Sequence, residues 1–258
     1  MDQLLELQWG TFTPQHFISL LASALIAFGL HFLLRGQSEK TKTSVLFCLS
    51  LIGPLALLHD LYWGLQTTVL VYLPLHMCSY NALLTPVLIK TKNQFLGNLI
   101  PLFGVGAALS LIFNSVQAEY TVMSFTFVFH FLSHTLGWCL PILMFSLKLV
   151  RPNPKYILPC VGATFGLYTL SHIANLIINP ILQASGIVDY LGNPYFANYM
   201  FSLSHEGNPA LAFFWSLIPH PYFYMFAALP IIALAFSAMN VPHLVRYLRA
   251  KRQEKTAK

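Results

Sequence analysis

The sequence predicts an all-α polytopic membrane bundle of about seven transmembrane helices, on three observations. Of 258 residues, 56% are hydrophobic and only 9% are charged, against about 25% charged in a soluble domain. The apolar residues gather in runs close to the roughly 20 residues that cross a hydrocarbon core. All fourteen Lys and Arg fall between or after these runs, in alternate connections. The net charge of +6 is then a topology signal and not a nucleic-acid footprint. No nucleic-acid partner is expected.

The chain, 1–258, reads as a single transmembrane domain. Predicted spans cover 16–34, 44–64, 68–89, 95–113, 122–147, 156–178 and 222–241. Arg35, Lys40 and Lys42 follow the first span, and Lys90 and Lys92 follow the third. Lys148, Arg151 and Lys155 follow the fifth, and the remaining six basic residues lie in a basic tail, 245–258. The opposite connections carry Asp2, Glu6, Asp60, Glu119, Asp189 and Glu206. The positive-inside rule puts the C-terminus in the cytoplasm and the N-terminus outside. No basic n-region precedes Arg35, so no cleavable signal peptide is expected. The short basic connections fit a bacterial cytoplasmic membrane.

Several spans contain proline: Pro54, Pro74, Pro86, Pro101, Pro141 and Pro159. Each removes a backbone donor and can kink its helix. The outer connection, 179–221, is long and punctuated by Asn179-Pro180, Gly192-Asn193-Pro194 and Gly207-Asn208-Pro209. It also holds the apolar stretch 211–217. A long loop of that kind is expected to wall a site. No internal repeat speaks for an inverted-repeat transporter.

The candidate site follows from where polar groups interrupt the apolar runs. The stretch Leu73-Pro74-Leu75-His76-Met77-Cys78 lies inside the third run. Polar groups at that depth must pair or line a wet cavity. At 1.5 Å per residue, His76 lies roughly 12 Å below the outer end of its span, and His130 and His134 lie at roughly 12 and 18 Å. His172 lies roughly 9 Å from the outer end of the sixth span. His59, His205 and His220 fall on the outer side and His16 begins the first span, leaving His31 and His243 apart. Histidines thus converge on the outer half.

His130 and His134 are four residues apart and share a helix face. The pair lacks the glutamate of a metalloprotease motif, because Phe131 stands in its place. No metal or other cofactor is expected. Tyr168, His172, Asn175 and Asn179 draw a polar stripe down the sixth span, which must face the bundle. On a regular helix His76 and Cys78 do not face each other. A nucleophilic Cys78 would then take its base from another span, from His130, His134 or His172. Cys48, Cys139 and Cys160 have no CxxC spacing and read as fillers.

The Leu73 to Cys78 stretch resembles the LPLHxC signature of YwaF-type bacterial membrane proteins and the related eukaryotic transmembrane protein 164 family. Phe129-His130-Phe131-Leu132-Ser133-His134 resembles the family's paired histidines. Asn198-Tyr199-Met200 resembles its late NYM element. The likeness extends over most of the chain, 72–229. It implies a compact multi-span protein that moves acyl chains between phospholipids, with Cys78 carrying the acyl group.

On that basis the expected function is lipid acyl transfer, with membrane lipids and a small acyl acceptor or lysolipid as partners. Cys78 attacks the ester, and His130 or His134 takes the proton. His76, with Asn81 or Asn198, binds the oxyanion. His172, Asn175, Tyr199 and His205 complete the substrate-binding set. Two alternatives are a lipid hydrolase that uses histidine-activated water, and a transporter or channel with a histidine-lined outer vestibule for metal or protons.

Overall fold

The computed structural model describes residues 8–113, 120–122, 124–189, 191–230 and the single positions 234, 241 and 245. Its helices are α1 (Pro14–Leu34), α2 (Glu39–Ser50), α3 (Ile52–Gln66), α4 (Met77–Thr91), α5 (Gln94–Phe113), α6 (Phe125–Ser146), α7 (Ile157–Ser185) and α8 (Pro209–Leu217). Two-residue strands β1 (Gln8–Trp9) and β2 (Tyr120–Thr121) pair antiparallel, shortly before α1 and α6. Among the described residues, five runs are long and apolar enough to cross a membrane: Pro14–Leu34, Glu39–Gln66, Gln94–Phe113, Phe125–Ser146 and Pro154–Ser185. Large apolar side chains point outward along them, such as Leu21, Leu25 and Phe28 on α1 and Leu170, Ile173 and Ile177 on α7. That is the pattern of a bundle solvated by lipid, since soluble monomers rarely expose such large contiguous apolar surface.

α6 packs against α1, α3, α4 and α5. Its buried Leu136, Leu140, Leu143 and Met144 share a core with Leu46, Leu88 and Ile100. Small residues let the helices approach, as membrane helices require. A Cβ on Gly104 would lie 3.1 Å from the Gly137 carbonyl, and one on Gly53 would lie 3.0 Å from Ala82. The helix starts are capped from the sequence. Thr13, Ser124 and Asn208 each accept a backbone N–H of the following turn through their side chains.

Three expectations change. The second predicted span is two helices, α2 and α3, meeting at Leu51. Pro54 lacks the N–H that would continue the ladder across that junction. The third predicted span, 68–89, is not one helix. Residues 69–71 form a 3-10 turn and 72–76 are irregular, so α4 begins only at Met77. Pro74 is again the cause, and it also disfavours helical geometry at Leu73. α4 has 15 residues, roughly 22 Å, too short to cross the core alone. The outer connection starts later than expected, because α7 runs on to Ser185, and it contains α8. The seventh predicted span, 222–241, lies mostly outside the described residues; its described beginning is a 3-10 turn, Phe223–Ala228. The basic tail lies outside them almost entirely.

Irregular backbone at membrane depth is tolerated only where protein satisfies it. Here Tyr199 does so: its hydroxyl donates to the Leu70 carbonyl and accepts the Leu73 N–H. Ser171 on α7 donates to the Leu75 carbonyl at 2.8 Å.

Candidate active site

The break before α4 makes Cys78 something other than a mid-helix residue. His76 is the N-cap, without a side-chain cap bond, and Cys78 is the second helical residue. The first bond of the ladder runs from the Tyr80 N–H to the His76 carbonyl. The amides of Met77, Cys78 and Ser79 therefore precede the ladder, at the positive end of the helix. The Cys78 side chain sits at this end of the helix. It is exposed, whereas Cys139 and Cys160 are buried.

Cys78 opens onto a cavity of about 70 Å³ between α3, α4, α5 and α6. Asp60, Ser79, Asn81, Ser133 and His134 line it with Cys78, and Gly53 and Ala107 leave the room. His134 comes from α6, one turn after His130, and the two rings stand 4.2 Å apart. His134 Nδ1 lies 2.8 Å from the His130 carbonyl. A carbonyl only accepts, so Nδ1 carries the proton and Nε2 keeps a lone pair. Ser133 donates to the same carbonyl at 3.1 Å. This is the tautomer a base needs.

Asp60 stands on α3, with its Oδ1 3.5 Å from His59 Nδ1. Trp63 Nε1–H donates to His59 Nε2, so the His59 proton faces Asp60. The cavity thus gathers a thiol, an imidazole and a carboxylate from three helices. Among the described residues, no three His, Cys, Asp or Glu side chains are placed to hold a metal ion.

The other expected site residues divide into two groups. Asn81 lines the cavity, but its amide donates to the Gly137 carbonyl at 2.8 Å and accepts from Thr85. It ties α4 to α6. His130 packs its ring against Trp9 and His134 and is not part of the cavity lining. The rest lie on the far side of α4. His76 Nδ1 accepts the Met200 N–H at 3.3 Å, and its ring packs on Tyr199 and Phe201. The α7 stripe does face inward, onto the late loop. Asn175 bonds the N–H and carbonyl of Tyr199, His172 meets Ser202, and Asn179 bonds both backbone groups of Ala197. Asn198 donates to Ser204 and Glu206. Burial raises the Glu206 carboxyl above its usual range, against that hydrogen bond. His205 accepts the Gly207 N–H and sits near Trp215. The α7 residues hold the NYM loop, and His76 joins that loop to the start of α4.

Depth along the sequence could not separate the two sides of α4, and Asp60 went unassigned as a site residue. The available signal was a lone carboxylate closing an apolar run that also carries Gly53 and Ala56.

The fold and its outward apolar faces define an integral multi-pass membrane protein with a cavity between its helices that several polar side chains line. The chain belongs to the TMEM164 family, whose model matches residues 11–239. No curated protein and no solved structure matches it.

Proposed function

We propose that the protein is a lipid acyltransferase in which Cys78 carries the acyl group and His134 moves the protons. The supporting observation is that Cys78, at the start of α4, and His134, held as its Nδ1–H tautomer, line one cavity. The Cys78 thiol passes its proton to His134 Nε2, and the thiolate attacks an ester carbonyl of a membrane lipid. The carbonyl oxygen takes negative charge, and the amides at the start of α4 are the donors for it. When the C–O bond breaks, the imidazolium returns its proton to the leaving lysolipid oxygen. An acceptor hydroxyl then gives its proton to His134 and attacks the thioester, which releases lipid product and the thiol. Asp60 faces the same cavity with negative charge and favours the imidazolium. The protein acts from a bacterial cytoplasmic membrane, a reading supported by the short connections, with its C-terminus inside, which the basic residues in those connections support.

The test is transfer of a labelled acyl chain between phospholipid and lysolipid in vesicles containing the full-length protein. Cys78→Ala and His134→Ala are each expected to lose about a hundredfold or more. Release of free fatty acid by Cys78→Ala at the wild-type rate would instead identify a hydrolase using water activated by His134.

A further inference from the structure

A second cavity lies against Met77. It measures about 60 Å³ and is almost wholly apolar. Met77 from α4, Phe165 and Tyr168 from α7, Met200 from the NYM loop, and Met225 and Leu229 form its walls. Met77, on the wall of this cleft, immediately precedes Cys78, which lines the first cavity. Gly106 leaves space for the Met77 side chain: a Cβ there would lie 3.0 Å from the Met77 sulfur. Thioether side chains adapt to irregular apolar shapes, and three of them meet here.

Two further observations set this cleft apart from an ordinary packing gap. Left-handed backbone lies at and beside its wall. Met200, which lines the cleft, has φ of 53°, its neighbour Phe201 also has 53°, and Tyr222, bonded to the wall residue Tyr168, has φ of 65°. Non-glycine residues hold such geometry only where surrounding structure forces it, which concentrates at functional sites. Here Tyr222 is fixed through its N–H to the Ser202 carbonyl, its carbonyl from Tyr168 and its hydroxyl at Thr169. The second observation is direction. Ser171 bonds the Leu75 carbonyl and meets the Tyr80 hydroxyl, so it marks the level of the α4 start. Beyond Ser171 toward the C-terminus of α7, the inward residues are His172, Asn175 and Asn179. Toward the N-terminus lie Tyr168, Phe165, Thr164 and Val161, the cleft wall. From Ser171 to Val161 is roughly 15 Å along the helix. The cleft therefore descends from the level of Cys78 into the apolar part of the bundle.

We infer that this cleft binds the acyl chain of the lipid whose ester reacts at Cys78, with Met77, the residue before the cysteine, on its wall. This rests on the acyl-transfer reading for the reaction at Cys78, though chain binding itself does not require it. A chain seated there has its carbonyl at the polar level and its methylenes below, the arrangement that the two cavities offer together.

The test uses full-length protein in phosphatidylglycerol and phosphatidylethanolamine vesicles doped with a phosphatidylcholine whose acyl chain carries a terminal diazirine. After irradiation, adducts are mapped by peptide mass spectrometry. Label is expected to concentrate on 161–168 and 225–229, at least fivefold above the lipid-facing peptide of α1. Met225→Trp and Val161→Phe, each checked for monodispersity, are expected to lower cleft label threefold or more and leave α1 label unchanged. Cys78→Ala is expected to keep the cleft label. Cleft label no higher than α1, or unaltered in both filled variants, would overturn the inference. If the cleft labels but Cys78→Ala transfers acyl groups normally, the chain site stands and the cysteine mechanism fails. If Cys78 is acylated while the cleft stays unlabelled, the reverse holds.

Discussion

His134 can act as a base because its other nitrogen is occupied. The His130 carbonyl, one turn earlier on α6, fixes the proton on Nδ1. No histidine elsewhere is needed for that orientation, so the paired histidines have unlike roles. His134 faces the cavity and His130 offers its backbone to it, with its ring packed under Trp9. Asp60 brings the cavity's only carboxylate among the described residues. In the proposed mechanism its charge favours the imidazolium that forms when the thiol gives up its proton. Asp60→Asn is expected to slow transfer about tenfold, the equivalent of about 1.4 kcal/mol in the barrier, with Asp60→Glu recovering part of the rate. Equal rates for Asp60→Asn and wild type, measured at several pH values, would remove the carboxylate from the mechanism.

At the scale of elements, the proposed mechanism depends most on the interruption before α4. Pro74 ends helix geometry in the middle of an apolar run, and this gives Cys78 a helix N-terminus. The break is stable because Tyr199 and Ser171 take up its backbone groups. Tyr199 is in turn held by Asn175, buried on α7. Asn175→Ala leaves the Tyr199 N–H without its partner, at about 1–3 kcal/mol, while the Tyr199 carbonyl keeps the Ser202 N–H. It is expected to lower the Tm and also the transfer rate, since the loop it anchors holds His76 and the start of α4. A thermal-shift measurement on the purified variant checks the first effect, and the vesicle assay checks the second. The turn after α7 has its own lock. The amides of Asn193 and Leu191 donate to Asp189 and hold its carboxyl below the usual carboxylate range. A depressed carboxyl stabilises the turn above its unfolded pKa, and that contribution disappears as pH falls through the folded value. Proteolysis in the turn is expected to accelerate only in that acidic range, and Asp189→Asn is expected to flatten the response.

Across the whole molecule, the sequence was most informative where polarity and period combine. The apolar runs and the face shared by His130 and His134 were legible, as was the inward stripe on α7, because each follows from composition or a 3.6-residue period. The broken third span was not legible as a break. An apolar run with one proline reads equally well as a kinked helix, and the choice depends on tertiary partners such as Tyr199, over a hundred residues away. For the same reason the expected site split in two. Depth placed His76, Cys78, His134 and His172 together, but the angular positions around α4 put His76 and His172 on the loop side. The cavity combines residues from four helices, and Asp60 could enter it only once α3 was packed on α4 through Gly53 and Ala82.

The most direct measurement is mass spectrometry of the protein purified in native-like lipid, with and without hydroxylamine, beside Cys78→Ser. An acyl-thioester mechanism predicts a fatty-acyl mass on the Cys78 peptide that hydroxylamine removes and the variant lacks. His134→Ala is predicted to form that adduct far more slowly. A protein that turns over several donor lipids without ever carrying that mass would contradict the mechanism.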